Sequence, residues 1–222
     1  MTVVAVQCRR NDSGAFEEMT VRFCVLVGTF LAAIPLLADS CDLGTAGLDQ
    51  LLNEVLPLNT RPLWATGERK VTTVRFTPLE SPPGEMSVMF VEDDHGAISA
   101  QIRSLPQRLS VLVEAVVERE SDLSCSEVLQ RLTIRKSQAE GIELKRLRRL
   151  YLQLRATKIN TDAASEIYLD TDKYELYISG GMADIEVTLF PGTRAGGRRH
   201  PILQPLDEIR RVAGDATRTT AQ

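Results

Sequence analysis

Between Phe23 and Ala38 the chain runs sixteen residues without a charge, FCVLVGTFLAAIPLLA. A membrane-spanning helix needs about 17–25 apolar residues, and Pro35 interrupts this run. Arg22 stands immediately before it, and Ala38-Asp39-Ser40 places small residues at both positions that a signal peptidase must accept. The pattern predicts a signal peptide over residues 1–40, cut after Ser40, with Cys41 as the first residue of the mature protein. Residues 1–18 carry Asp12, Glu17 and Glu18, whereas a signal begins on basic residues, so Met19 is the expected start of translation. Three other readings compete: an uncleaved anchor helix, a buried core helix, and a membrane-tethered envelope lipoprotein with its lipid on Cys41. Asp39 fits poorly in the small-residue box that lipidation requires.

The whole chain of 222 residues is 43% hydrophobic and 25% charged, with a net charge of −4. That balance excludes a collagen-like or wholly disordered chain and argues against a strongly basic nucleic-acid binder. The expected architecture is α+β: one domain over residues 41–213, an antiparallel sheet or β-meander packed against two or three helices, then a disordered tail over 214–222.

Leu48, Leu51, Leu52, Val55 and Leu56 recur at helical spacing, and Pro57 ends that helix. Val71 to Thr77 alternates as a strand. Met86 to Val91 and Ala97 to Ile102 flank Glu92-Asp93-Asp94-His95-Gly96 as a hairpin, Gly96 supplying positive φ. Leu105, Leu109, Leu112, Val113, Val116 and Val117 line a second helix, with Ser104 as its expected cap, Gln107 at the capping-box position and Pro106 in its first turn. Ser124 and Glu127 form a capping box for a third. Ser137 to Gly141 reads as a loop. Residues 142–159 fit either period; the expectation is a strand from Leu147 to Thr157. Strands are expected at Glu166 to Leu169, Tyr174 to Ser179 and Ala183 to Phe190, and a short helix at Leu206 to Ala213. The first helix, the second helix and the meander, Ile167 included, are expected to share one core.

Chemistry is harder to find. His95 and His200 are the only histidines, and no HExxH, CxxC, GxSxG, P-loop or GxGxxG occurs. No motif points to a catalytic residue, a cofactor or a metal. His95, with Glu92, Asp93 and Asp94, is a solvated turn or a weak cation or proton site. Asp170, Asp172 and Glu175 resemble the start of a calcium loop, but Tyr174 stands where an oxygen ligand is needed.

Residues 131–158 are strongly basic and 159–192 acidic. Complementary neighbouring faces explain this, as does a basic surface for an anionic ligand or protein. The candidate anion-binding residues are Arg146, Arg148 and Arg149, with Arg194, Arg198 and Arg199 in the Gly/Arg-rich loop before Pro201. Few aromatics interleave them, so nucleic acid is not expected as a partner.

Once residues 1–40 leave, Cys41 and Cys125 are the remaining cysteines. In an oxidising compartment they are expected to pair. The competing expectation is a free reactive thiol at Cys125, at the start of the third helix. The function expected is an exported binding or interaction protein, periplasmic or secreted, with an unidentified protein or anionic ligand; a periplasmic hydrolase with a dispersed site is the runner-up. Contact with a membrane is expected only through the signal segment or a lipid on Cys41.

Overall fold

The computed structural model describes residues 3–10, 44–58, 70–80, 82–120, 123–157, 172–179, 183–190 and 201–219. The elements are β1 (Val3–Arg10), α1 (Thr45–Val55), β2 (Lys70–Thr77), β3 (Met86–Glu92), β4 (Ile98–Ser104), α2 (Leu109–Val117), α3 (Cys125–Arg131), β5 (Arg135–Gln138), α4 (Gly141–Ala156), β6 (Lys173–Ser179), β7 (Ala183–Phe190) and α5 (Leu203–Thr219). Strands β2 to β7 form an antiparallel sheet in the order β7-β6-β2-β3-β4-β5, and β1 adds to its β7 edge. With five helices this is the expected α+β class.

Alternation along the strands divides the sheet into two unlike faces. Val74 and Phe76 of β2, Val88 and Phe90 of β3, Ala100 and Ile102 of β4, Leu176 of β6 and Val187 and Leu189 of β7 point one way. The stripes of α4 and α5 cover them. Leu147, Leu150, Tyr151 and Leu154 come from α4, and Leu206, Ile209, Val212 and Ala213 from α5. Phe90 stacks on Tyr151 with ring centroids 5.0 Å apart, and Phe76 meets Tyr174 edge-on at 5.1 Å. A second apolar cluster joins α1 (Leu51, Leu52, Val55), Leu56, Leu105, α2 (Leu109, Val113), α3 (Val128) and Leu132.

The expected single core is therefore two. The meander packs under α4 and α5, while α1 and α2 pack with α3. Between them lies the other sheet face, where Thr73, Arg75, Ser87 and Glu175 are buried. A polar face cannot merge with an apolar helix stripe, so the apolar surfaces close on separate partners.

Several elements differ from expectation. Of residues 147–157, expected as a strand, all but the C-cap Thr157 belong to the 16-residue helix α4. A strand would place Leu150, Leu152 and Leu154 on one side, yet Leu152 is 57% exposed while Leu147, Leu150, Tyr151 and Leu154 are buried at helical spacing. The intervening Arg and Lys residues are good helix formers. Arg135–Gln138, overlapping the expected loop, is strand β5; it lacks apolar alternation and is held by pairing with β4, from Gln101↔Gln138 to Ser104↔Arg135. Helix α5 continues to Thr219, through residues expected to be disordered, because Ala216 and Thr217 extend its inner stripe with small side chains.

Ser104 does not cap α2. It ends β4, opposite Met86, and the helix begins later, at Leu109. The backbone N–H of Leu109 donates instead to Glu85 Oε2, 2.7 Å away. Burial pushes the Glu85 carboxyl above its ordinary pKa, against the hydrogen bonds from its own backbone N–H and that of Leu109. At Ser124 the capping box forms as expected. The N–H of Ser124 donates to Glu127 Oε2 at 2.8 Å, and hydrogen bonds from Ser124 hold Glu127 below the usual carboxylate range.

The apolar run at 23–38, Trp64, the expected strand at 166–169 and the loop at 192–200 lie outside the described residues. Among the described residues no helix is long and apolar enough to cross a membrane.

Candidate functional site

The polar sheet face opens into a cleft of about 340 Å³ between α1 and strands β2, β6 and β7. Asp49 and Asn53 of α1, Pro57 and Leu58, Arg75, Lys173, Glu175 and Glu186 line it. Its floor is an ion pair. Arg75 and Glu175 stand directly opposite each other in the β2–β6 register, and Arg75 Nε donates to Glu175 Oε2 at 2.7 Å. The residues are 4% and 5% exposed. Arg75 Nη1 also donates to Asn53 Oδ1 at 2.6 Å and to the Leu56 carbonyl at 3.3 Å. These bonds place α1 across the sheet from α4 and α5, since Arg75 points away from its neighbours Val74 and Phe76. Lys173 Nζ approaches the other Glu175 oxygen at 2.9 Å.

Burial raises the Glu175 pKa, but the Arg75 hydrogen bond and charge, aided by Lys173, outweigh it and hold the carboxyl below its ordinary value. The floor is thus a fixed, ionised network. At the rim, Asp49 is exposed and Glu186 half-buried. Among the described residues neither of them is in an ion pair or a hydrogen bond, and both line the cleft.

Two further polar clusters are seams between helix and sheet. Glu92 Oε2 accepts from the Tyr151 hydroxyl at 2.9 Å and from Arg155 Nη1 at 2.6 Å, tying α4 to the β3–β4 hairpin. Tyr174 donates to Asp207 Oδ1 at 2.7 Å, and Arg210 to Asp172 Oδ2 at 2.6 Å, tying α5 to β6. Burial, then donation to Asp207, pushes the Tyr174 phenol up to about 12.

Of the candidate anion-binding residues, Arg146, Arg148 and Arg149 lie on α4. Arg148 Nε donates to the Ile98 carbonyl at 2.9 Å and so anchors α4 to β4. Arg146 and Arg149 are exposed. Arg149 lines an open groove of about 970 Å³ between α4 and α5, with Gln153, Gln204, Glu208 and Arg211. Glu208 is held below its ordinary pKa mainly by a hydrogen bond from Arg211, with Arg146 and Arg149 contributing charge. The basic row on α4 thus faces an acid on α5. Arg194, Arg198 and Arg199 lie outside the described residues, as does His200.

The His95 turn closes on itself. Asp93 Oδ1 accepts the backbone N–H of His95 at 2.9 Å and of Ala97 at 2.8 Å, and Gly96 adopts φ +76°. Glu92, expected beside His95, is committed to Tyr151 and Arg155. Asp172 and Glu175, the described members of the calcium-like run, go to Arg210 and Arg75 respectively. Among the described residues no three His, Cys, Asp or Glu side chains gather as a metal set, and no described hydroxyl or thiol is hydrogen-bonded to the His95 ring.

Cys125 opens α3 and packs against the second cluster. Cys41, its expected partner, lies outside the described residues.

Comparison of the chain with family models, curated proteins and solved structures finds no match.

The Arg75–Glu175 floor escaped sequence reasoning. Arg75 reads there as the polar phase of an alternating strand, and Glu175 as a residue of the strand Tyr174 to Ser179 at the end of a calcium-like run. Only the β2–β6 register brings them together, across 100 residues of sequence.

Proposed function

We propose that this is an exported binding protein, freed of residues 1–40 by cleavage after Ser40, and that the cleft over Arg75 and Glu175 receives a small polar solute bearing an ammonium group. The observation that carries the reading is the buried ion pair flooring an open cleft. An ion pair taken out of water contributes little net stability, and a well-packed apolar pair does as well or better. Its retention in a cleft makes sense as a preorganised polar floor. The rim selects the sign of the ligand. Asp49 and Glu186 carry no counter-charge among the described residues, whereas Arg75 and Lys173 both serve Glu175, so the cleft favours a cationic or zwitterionic guest over an anion.

The reading of export rests on the apolar run and the small residues before Cys41. In the oxidising compartment that export implies, Cys125 pairs with Cys41, which fastens the mature N-terminus to α3.

Native mass spectrometry of the protein recovered after export tests both parts. The expected species begins at Cys41 and carries a small noncovalent adduct that is lost in the Asp49→Lys variant. A chain that retains residues 1–40, or a Cys41 bearing a lipid, overturns the cleavage reading. An adduct indifferent to Asp49→Lys, or none at all, overturns the cleft.

A further inference from the structure

We propose that the outer edge of β7 is a dimer seam: once residues 1–40 are gone, two copies join β7 to β7 in one continuous antiparallel sheet. The inference rests on the cleavage proposed above.

The two ends of the six-stranded sheet are unlike. At one end β5 is four residues long, exposed, and carries Arg135 and Lys136. Short length and positive charge are the usual devices that keep an edge from pairing. At the other end β7 is eight residues long and contains no Pro, Lys or Arg. Its Ile185, Val187 and Leu189 pack with the apolar cluster, and Glu186 alternates onto the cleft face. A long edge of this composition recruits a strand.

In the full-length chain β1 is that strand. It pairs along the whole of β7, from Val3↔Phe190 to Arg10↔Ala183, so the edge accepts an antiparallel strand over eight residues. The register sets Val4, Val6 and Cys8 opposite Leu189, Val187 and Ile185. Cleavage after Ser40 takes β1 away and bares the edge.

A second β7 carries the same alternation and can replace β1. Two antiparallel copies are related by an axis perpendicular to the sheet, so residues opposite each other point to the same side. Only registers centred on a residue keep the two apolar faces together. Centring on Glu186 sets two carboxylates directly opposite, which is unfavourable. Centring on Val187 sets Val187 opposite Val187 and Ile185 opposite Leu189 on the helix side, and Glu186 opposite Thr188 on the cleft side. That register carries the apolar layer under α4 and α5 across the seam without opposing like charges.

The test uses the exported protein, with its intact mass measured first. A chain that begins at Cys41 should sediment as a dimer at micromolar concentration, while the full-length chain, with β1 on the edge, should sediment as a monomer. The register is read with cysteines. A mixture of Glu186→Cys and Thr188→Cys copies should crosslink under mild oxidation, with melting curves showing both variants folded. Neither variant alone should crosslink, since in each the two sulfurs sit two residues out of register, beyond the reach of about 7 Å between Cα atoms that a bridge allows. A Cys41-initiated chain that sediments as a monomer, or crosslinking by either variant alone, overturns the seam while leaving the cleavage reading intact. An exported chain that keeps residues 1–40 overturns both.

Discussion

The Arg75–Glu175 pair makes a quantitative prediction. Both residues are nearly fully buried. Removing one partner from such a pair costs about 3–5 kcal/mol, because the survivor keeps a charge without its counter-charge. Here each survivor retains help. After Glu175→Leu, Arg75 still donates to Asn53 and to the Leu56 carbonyl; after Arg75→Met, Glu175 still meets Lys173. Each single variant should therefore lie near the low end, about 3 kcal/mol. For a domain of this size that is a fall in Tm of roughly 6–12 °C. The double variant Arg75→Met/Glu175→Leu leaves no orphan on the pair itself and should cost less than either single change, a coupling of at least about 3 kcal/mol. Urea unfolding at pH 7, with the slope checked for constancy, supplies all four values. The pH dependence carries a sign as well. Glu175 has a folded pKa below its unfolded value, so its contribution is full above the unfolded value and disappears as pH falls through the folded one. The wild type should lose stability below about pH 4 more steeply than the double variant. Single variants within about 1 kcal/mol of wild type, or a double variant equal to the sum of the singles, would refute the reasoning.

Three further outcomes follow from local geometry. A Cβ on Gly84 would lie 2.4 Å from the carbonyl oxygens of Leu105 and of Gln107, so Gly84→Ala must push backbone apart and should cost about 1–3 kcal/mol in urea unfolding; an unchanged midpoint would show that the turn yields freely. Glu85→Ala strips the acceptor from Leu109 N–H and should cost about 1–2 kcal/mol, whereas Glu85→Gln keeps an acceptor without burying charge. Because the folded pKa of Glu85 is raised, its carboxyl weakens the fold as pH rises through that range, so Glu85→Gln should be at least as stable as wild type at pH 7, and a less stable one contradicts this account of the cap. Thiol titration of exported protein, denatured without reductant, should find no free thiol; a Cys41–Cys125 bridge closes a loop of about 85 residues and, in the chain-entropy model, contributes on the order of 4–5 kcal/mol, and two free thiols would eliminate it.

What the sequence made legible follows the strength of each local signal. Helix α1 shows in the spacing of Leu48, Leu51, Leu52 and Val55 because one face of an isolated helix is buried. The Ser124–Glu127 box shows because its partners are three residues apart. The hairpin at Gly96 shows because positive φ narrows the residue choice. Features set by distant partners were not legible. Helix α4 offers its leucines at both periods, and only the sheet beneath it decides between them. Strand β5 has no apolar alternation and exists by hydrogen bonding to β4. The cap of α2 comes from Glu85, 24 residues upstream. Arg148 reads only as one member of a basic run, and its bond to the Ile98 carbonyl needs the fold. The cleft is the extreme case, since its floor joins β2 to β6 and its rim adds α1 and β7.

The central claim is that this cleft takes an ammonium-bearing solute. The Arg75 side-chain Nε–H points along the floor to Glu175, which makes its NMR resonance a direct reporter. Titration of the exported protein with single amino acids and aliphatic diamines should move that resonance saturably for at least one solute, together with the Asn53 side-chain amide and the backbone signals of Asp49 and Glu186. The same solute should leave residues of the α4–α5 groove, such as Gln153 and Gln204, in place. Shifts confined to that groove, or an Arg75 resonance unmoved across the whole panel, would contradict the account.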